Sequence, residues 1–317
     1  MRVSDTAQTP ESIGFAFQAM SSACEIRLER GEGDEETSLA AAAKLAIAEV
    51  QRIEQKYSRY RPDSVVSRIN AAAGLTHAIE VDAETIALLD FAQTLHTMSD
   101  GLFDITSGVL RRVWNFQSGQ LPEAAALAAL LPLIGWSQVS WDAPTIYLPQ
   151  RGMELDFGGF GKEYAADRAM AVLVAAGMRH GFVNLGGDIR VLGARVNGAP
   201  WRFGIQHPRS DSSTIASVDM AAGALASSGD YERYFELDGK RYCHILNPKT
   251  GLPVTSWASI SVTAPACVAA GALSTIAMLK GGEALAFLET QGATFLAVDG
   301  GLNLFRSGAA LGLQFEH

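Results

Sequence analysis

The chain has 317 residues, of which 48% are hydrophobic and 19% charged, a composition typical of a globular protein with a packed core. Its formal net charge of −9 argues against a nucleic-acid partner, which would normally require a basic surface. The three cysteines, Cys24, Cys243 and Cys267, are an odd number without metal-ligand spacing. They predict neither a zinc site nor a disulfide framework, and they fit a reducing compartment.

Localisation and domain organisation follow from the absence of particular segments in the sequence. Residues 1–15 lack the basic start and the apolar core of a signal peptide. The longest apolar stretch, residues 121–136, contains two prolines and a glutamate and is too short to cross a bilayer. A short acidic run at residues 32–36 indicates a solvated loop. With no low-complexity linker and no repeat, we expect a cytoplasmic protein without a membrane partner, folded as one domain over residues 1–317, with two lobes within that domain as an alternative.

The first half of the chain predicts mainly helices. Residues 15–28 indicate an extended edge. An alanine-rich run with apolar residues at helical spacing predicts a long amphipathic helix over residues 36–57. Asp82 has the character of an N-cap for a second helix that ends at Met98. Pro122 suits the first turn of a third helix.

The second half predicts strands, with one helix among them and a helix pair near the end. A glycine-rich turn at residues 158–161 precedes a helix expected over residues 162–176. The helix pair is expected over residues 268–291, before a hairpin turn at residues 299–301. Strands are expected at residues 138–141, 145–148, 153–157, 181–192, 201–206, 215–221, 231–237, 241–246 and 258–263. Because strands outnumber helices without alternating with them, the predicted class is α+β, with mixed or antiparallel sheets and flanking helices.

Two glycine turns are candidate ligand sites. In the sequence DFGGFGK, from Asp156 to Lys162, a strand, a turn and a helix start expose backbone N–H groups that suit a phosphate, and Lys162 adds a positive charge. The pattern matches neither GxGxxG nor GxxxxGK[ST], so a tight turn with a solvated lysine is an alternative. In NLGGD, residues 184–188, the glycines permit close approach of a ligand, or Asp188 satisfies local N–H groups in a bulge.

A third candidate combines residues 227–233 with the turn-rich segment at residues 244–251. Alternation along a strand places Cys243 and His244 on opposite faces, which argues against a local thiol–base pair. A structural role for a lone strand histidine is the alternative. Because no GxSxG motif is present, the serines of SSGDYER have no esterase context.

Taken together and in order, these segments resemble the FAD:protein FMN transferases, the ApbE-like flavin transferases, from about residue 17 to the last helix. The matching segments are SRYRPDSVVSRIN at residues 58–70, DGLFDIT at 100–106, LDFGGFGKEYAAD at 155–167, VNLGGDIRVLG at 183–193 and SSGDYERYFELDGKRYCHILNPKTGLPV at 227–254. The resemblance implies a T-fold-like α+β architecture that holds FAD in an extended cleft, with Mg²⁺ beside the pyrophosphate.

The resemblance also implies roles for individual residues. Gly159 occupies a position that offers a backbone carbonyl to the metal, and Thr275 one that offers a hydroxyl. His244 occupies the position of a histidine suspected of assisting the transfer. The implied FAD contacts are Met20, Tyr60, Leu102, Phe103, Asp104, Asp156, Lys162 and Ile245.

The implied reaction is transfer of FMN from FAD to a Thr or Ser hydroxyl of an acceptor flavoprotein, with release of AMP. Two alternatives stand beside it. The chain binds FAD without transferring it, or it is an FAD pyrophosphatase in which water replaces the acceptor hydroxyl and the products are FMN and AMP.

The chain departs from the family at Gly271, where the family has an aspartate one helical turn before the threonine. Glycine supplies no carboxylate, and it costs about 1 kcal/mol relative to alanine inside a helix. Water, Asp156 or Asp188 is expected to complete the metal shell, or Mg²⁺ binds weakly. Gly271→Asp is then expected to tighten Mg²⁺ binding, unless another acidic residue already fills the position.

Overall fold

The structure is a computed structural model that describes residues 12–31, 35–307 and 314–315, so the predicted acidic loop lies partly outside the described residues. The α-helices are α1 (Glu36–Tyr57), α2 (Val65–Ala71), α3 (Ala83–Met98), α4 (Ala124–Leu130), α5 (Gly161–Ala175), α6 (Cys267–Lys280) and α7 (Ala284–Thr290). The strands are β1 (Ser12–Ala19), β2 (Ser22–Glu29), β3 (Ile79–Glu80), β4 (Ser140–Asp142), β5 (Thr145–Tyr147), β6 (Gly181–Leu185), β7 (Asp188–Gly193), β8 (Trp201–Gln206), β9 (Thr214–Met220), β10 (Gly223–Gly229), β11 (Tyr234–Leu237), β12 (Lys240–Cys243), β13 (Trp257–Ala264), β14 (Thr294–Asp299), β15 (Leu304–Arg306) and β16 (Gln314–Phe315).

One large sheet organises the fold. Its eight strands follow the order β1-β2-β6-β7-β10-β13-β14-β15, and all neighbouring strands pair antiparallel. Two three-stranded sheets, β16-β9-β8 and β3-β5-β4, and the hairpin β11-β12 complete the sheet structure of the described chain. The predicted α+β class is confirmed, and the named strand pairs are antiparallel rather than mixed.

Both faces of the large sheet carry buried apolar side chains, because alternate residues of its inner strands point to opposite faces. On one face, Val183 and Ile260 pack in the main core with residues of α1, α5 and α6 such as Leu39, Ala169 and Ala277. On the other face, a separate cluster is covered by the hairpin β8-β9; it includes Phe182, Ile189, Val191, Trp201, Phe203 and Val218. Of the residues predicted to form the site, Phe103 and Ile245 belong to the helix-covered core, and Met20 and Leu102 pack against it.

The helices predicted from apolar spacing and from the Asp82 N-cap are confirmed. Helix α1 has the predicted bounds, and Asp82 caps α3 by accepting a hydrogen bond from the Thr85 backbone N at 3.0 Å. The third helix begins at Ala124 rather than at Pro122, because the N-cap Glu123 has an extended backbone. None of the helices in the described ranges is long and apolar enough to cross a membrane.

The predicted strand at residues 153–157 is wrong. This segment has no regular secondary structure and joins no sheet, because side chains and a loop satisfy backbone groups within it. Asn70 bonds both the N and the O of Leu155, at 2.7 and 3.0 Å, and the Asp156 N donates to the Ile105 O at 2.8 Å. The segment therefore leads into α5 as a fixed, buried link.

Three further strand predictions need correction. The single strand expected over residues 181–192 is the hairpin β6-β7, with Gly186 and Gly187 at φ of 59° and 94° in its turn. The extended edge at residues 15–28 is likewise a hairpin, β1-β2. Strand β12 ends at Cys243, so His244 follows the strand rather than lying within it.

Helix α6 is capped from outside by α5, which gives a stability prediction. The Asp167 carboxylate accepts hydrogen bonds from the N atoms of Cys267 and Val268, both at 2.9 Å, and pairs with Arg190. We expect Asp167→Ala to lower the free energy of unfolding by about 1–2 kcal/mol, because the first turn of α6 loses its acceptor. Urea denaturation measures this, with the exposed Glu289→Ala as control. Equal midpoints for both variants would contradict the capping role.

Candidate functional site

The turn before α5 is built around an ion pair. The Asp156 carboxylate accepts a hydrogen bond from the Gly158 N at 2.9 Å and contacts the Arg59 guanidinium. Burial disfavours the charged Arg59, but Asp156, Tyr60 and Glu154 together outweigh burial and raise the pKa of Arg59. The Arg59 guanidinium also lies 5.1 Å from the ring centroid of Tyr60, which is 69% exposed. The predicted residues Asp156 and Tyr60 are therefore linked through Arg59, which sequence analysis did not single out.

Gly159 and Phe103 are in direct contact. A Cβ on Gly159 would lie 2.8 Å from the Phe103 Cζ, so this position leaves no room for a side chain. The Phe103 ring stacks on Phe160, with 6.3 Å between centroids, and Leu102 packs half-buried against the same core. The fold thus brings the predicted FAD segment at 102–104 to the glycine turn.

Asp104 is held by internal hydrogen bonds. Its carboxylate accepts from the backbone N of Thr106 at 2.8 Å and from that of Trp136 at 3.0 Å. The first of these bonds caps a 3-10 helix at Ile105–Arg112. With its side chain occupied in this way, Asp104 fixes the loop, and its contact with FAD stays a prediction.

Lys162 lies at the start of α5 between the sheet and the helices. Its Nζ is 2.7 Å from Asp188 Oδ2 and 3.3 Å from the Gly186 O. Burial disfavours the ammonium charge, but the charges of Asp188 and Glu163 together outweigh burial and raise the pKa of Lys162. Gly186 in turn contacts the β1-β2 turn, where a Cβ on Gly186 would lie 2.7 Å from Ser22. The turn that contains Met20 is therefore a neighbour of Lys162.

Glu163 occupies the space beside Gly271, and no sequence pattern drew attention to it. A Cβ on Gly271 would lie only 2.5 Å from Glu163 Oε1 and 2.6 Å from its Cγ. Among the described residues, Glu163 Oε2 is buried without a hydrogen-bond partner. Burial, followed by the negative charge of Asp188, raises the pKa of Glu163 to about 8.

This contact bears on the expectation for Gly271. The space at position 271 is filled neither by Asp156 nor by Asp188, since these pair with Arg59 and Lys162. Gly271→Asp would press against Glu163, so the structure favours the alternative that another acidic residue already lies at this position, and the effect on Mg²⁺ binding stays a prediction.

Hydroxyl groups lie one turn further along α6. Thr275 follows Gly271 by four residues, so both lie on the same helix face. Thr275 Oγ1 is 2.9 Å from Ser228 Oγ of β10, and Ser228 Oγ is 2.8 Å from Ser274 Oγ. The described chain contains no cluster of three or more His, Cys, Asp or Glu side chains that could hold a metal. The unpartnered carboxylate oxygen of Glu163, next to Gly271 and so about one helical turn from Thr275, nevertheless has the chemistry of a ligand for a hard cation such as Mg²⁺, which prefers oxygen ligands and retains several waters.

His244 is held neutral just beyond β12. Its backbone N donates to the Arg233 O at 2.9 Å, and within the described ranges its buried Nδ1 has no hydrogen-bond partner. Burial and then the Arg233 charge lower its pKa to about 4, and Lys162 contributes in the same direction. Burial also raises the pKa of the neighbouring Cys243 to about 11, which disfavours a thiolate. The next residue, Ile245, is buried, and its O accepts from the Val254 N at 3.0 Å.

Comparison with known proteins identifies the family to which this fold belongs. A sequence model of the ApbE family matches residues 20–297. An FAD:protein FMN transferase of Klebsiella pneumoniae is 35% identical over 210 residues, which are 65% of this chain and 64% of that protein. One from Treponema pallidum is 34% identical over 77% of this chain and 74% of its own. The crystal structure of the ApbE protein from Thermotoga maritima has a TM-score of 0.86 and 31% identity, covering 94% of this chain and 97% of its own.

The chain therefore belongs to the ApbE family. The predicted family and the predicted fold class are confirmed. The roles of individual site residues stay predictions, and the experiments below address them.

Proposed function

We propose that this chain transfers FMN from FAD to a Thr or Ser hydroxyl of an acceptor flavoprotein and releases AMP. The observation that carries the proposal is the glycine turn at the start of α5, where Lys162 lies within electrostatic reach of the neutral His244. Relatives that match this chain bear the name FAD:protein FMN transferase. The N–H groups of Gly158, Phe160 and Gly161 donate within the turn itself, so the ammonium group of Lys162 is the group at this helix start that suits the pyrophosphate of FAD.

The chemistry is a phosphoryl-type transfer. The acceptor oxygen forms a bond to the FMN-side phosphorus, the bond from that phosphorus to the bridging oxygen breaks, and AMP leaves with the bridging oxygen. Lys162 stabilises the charge that spreads over the phosphate oxygens. The neutral His244 is in the protonation state needed to accept the proton of the attacking hydroxyl.

Mg²⁺ is the proposed cation of the site. The Gly159 carbonyl and the Thr275 hydroxyl would hold it. When bound, it would neutralise part of the pyrophosphate charge, as divalent cations do in phosphoryl transfer. All three cysteines are free and buried, which is compatible with the proposed cytoplasmic location.

Incubation of the protein with FAD, Mg²⁺ and an acceptor flavoprotein tests the proposal. We expect mass spectrometry to show the acceptor heavier by one FMN, equimolar AMP, and loss of the product when EDTA removes the cation. An acceptor with its Thr or Ser replaced by alanine is the control. Free FMN plus AMP would instead indicate a pyrophosphatase, and unchanged FAD would indicate a protein that only binds it.

A further inference from the structure

We infer that Glu163 supplies the carboxylate ligand of the divalent cation, and that it does so from α5 in place of a side chain at Gly271 of α6. This inference rests on the proposed function, because it concerns the cation of the same site. The cation class is a hard, oxygen-binding ion such as Mg²⁺ or Mn²⁺.

The position of the Glu163 carboxylate carries the inference. Oε1 lies 2.5 Å from the place of a Cβ on Gly271. Standard bond lengths put a carboxylate oxygen of an aspartate roughly 2.4 Å from its own Cβ. A carboxylate oxygen of Glu163 is therefore as far from the Cβ position as an aspartate oxygen at 271 would be. A carboxylate at this place can therefore come from Glu163 of α5 or from an aspartate at position 271 of α6.

The environment of this carboxylate indicates a missing partner. Glu163 is 8% exposed, and Oε2 is buried without a hydrogen-bond partner within the described part of the chain. A buried carboxylate without a partner is costly, and a bound cation offsets that cost. Thr275 lies one turn from Gly271 on the same face of α6, so its hydroxyl is placed on the side that Glu163 approaches.

Three other carboxylates near α5 are already engaged. Asp156 contacts Arg59, and Asp188 contacts Lys162. Asp167 caps α6 and pairs with Arg190. Among these acidic side chains Glu163 alone retains a buried oxygen that the described residues leave without a hydrogen-bond donor. The same contact accounts for a glycine in the middle of α6, since any side chain at 271 would displace Glu163.

Mn²⁺ binding to the FAD-loaded protein, measured by electron paramagnetic resonance and by calorimetry, tests the inference directly. We expect Glu163→Gln, which keeps the size of the side chain, to weaken Mn²⁺ binding at least about tenfold, because affinity for hard cations depends on charged oxygen ligands. FAD binding without metal should change little. Glu154→Gln is the matched control, because this carboxylate pairs with Arg111 and Arg112; it should leave Mn²⁺ affinity unchanged.

A reciprocal exchange keeps the test decisive if Glu163→Gln folds poorly. Glu163→Gly should bind Mn²⁺ weakly, and Gly271→Asp alone should lower the melting temperature without tightening Mn²⁺ binding. The double variant Glu163→Gly/Gly271→Asp should regain affinity close to that of the wild type, because the carboxylate then comes from α6. A double variant no better than Glu163→Gly, or a Glu163→Gln variant with wild-type Mn²⁺ affinity, would overturn the inference.

These outcomes are separate from a failure of the proposed function. Wild-type protein that binds Mn²⁺ and flavinylates the acceptor, while Glu163→Gln binds Mn²⁺ equally well, removes only the role of Glu163. If the wild-type protein leaves FAD unchanged or hydrolyses it, the proposed transferase activity is refuted. In that case the comparison of Mn²⁺ affinity between the variants still shows whether Glu163 supplies the carboxylate ligand. Wild-type protein that binds no Mn²⁺ refutes the inference as well.

Discussion

Replacing Lys162 by alanine is expected to weaken FAD binding by roughly tenfold to a hundredfold. A hydrogen bond to a charged group contributes about 1.5–3 kcal/mol, and each 1.4 kcal/mol corresponds to about a factor of ten in affinity. The Lys162 Nζ is held in place by Asp188 at 2.7 Å and by the Gly186 O at 3.3 Å. Because the Lys162 side chain is already fixed at the start of α5, it loses little conformational entropy when the pyrophosphate binds. Calorimetric titration with FAD measures the loss.

The ion pair with Asp188 requires a control for stability. Lys162→Ala leaves the buried Asp188 carboxylate uncompensated, and breaking a buried pair in this way costs about 3–5 kcal/mol. The double variant Lys162→Ala/Asp188→Asn should recover much of this stability and still bind FAD weakly. Arg202→Ala, which removes an exposed pair with Asp219, should alter neither quantity. FAD affinity that returns to normal in the double variant would show that Lys162 only neutralises Asp188.

His244→Gln is expected to lower the rate of FMN transfer by about 10²–10⁴-fold, the usual contribution of a positioned proton acceptor. FAD affinity should remain within about a factor of two, since the buried imidazole is neutral and adds no charge to the flavin site. Single-turnover rates and FAD titrations separate the two effects. The exposed His77→Gln is the matched control. Normal transfer by the His244 variant would leave this histidine with a structural role.

The pH dependence follows from the lowered pKa of His244. Its value of about 4 in the folded protein lies below the ordinary 6.5, so the neutral base is present throughout the range from pH 8 to about 5. We therefore expect no loss of transfer rate near pH 6.5 and a decline only below about pH 5. An inflection near 6.5 that disappears in His244→Gln would contradict the buried, neutral state.

The lowered pKa of His244 also makes the free energy of unfolding decrease as the pH falls. Between pH 6.5 and about 4 the unfolded chain binds a proton at this histidine and the folded protein does not. The contribution of His244 is thus fully present above pH 6.5 and is lost as the pH falls toward 4. Urea unfolding of wild type and His244→Gln should show a smaller decline in the variant over this window.

The local elements of this protein could be predicted from its sequence because their signals lie within a few residues. Helix α1 follows from apolar spacing, and α3 from the Asp82 cap. The turn before α5 follows from its glycines. The ordered family segments sufficed for the fold class and the family, since both depend on order and spacing along the chain.

The tertiary structure decided features whose cause lies in distant parts of the chain. Strand β10 carries mostly small residues and so lacks a β-branched signal, yet it pairs with β7 and β13 inside the sheet. Residues 153–157 look like a strand but take their hydrogen bonds from Asn70 and Ile105. The most consequential case is Gly271, which in the sequence stands where the family has an aspartate that ligates the metal. Packing of α5 on α6 fills that space with the Glu163 carboxylate. This contact could not be predicted from the sequence, because it depends on how both helices are placed on the sheet and produces no periodic pattern in the sequence of either helix.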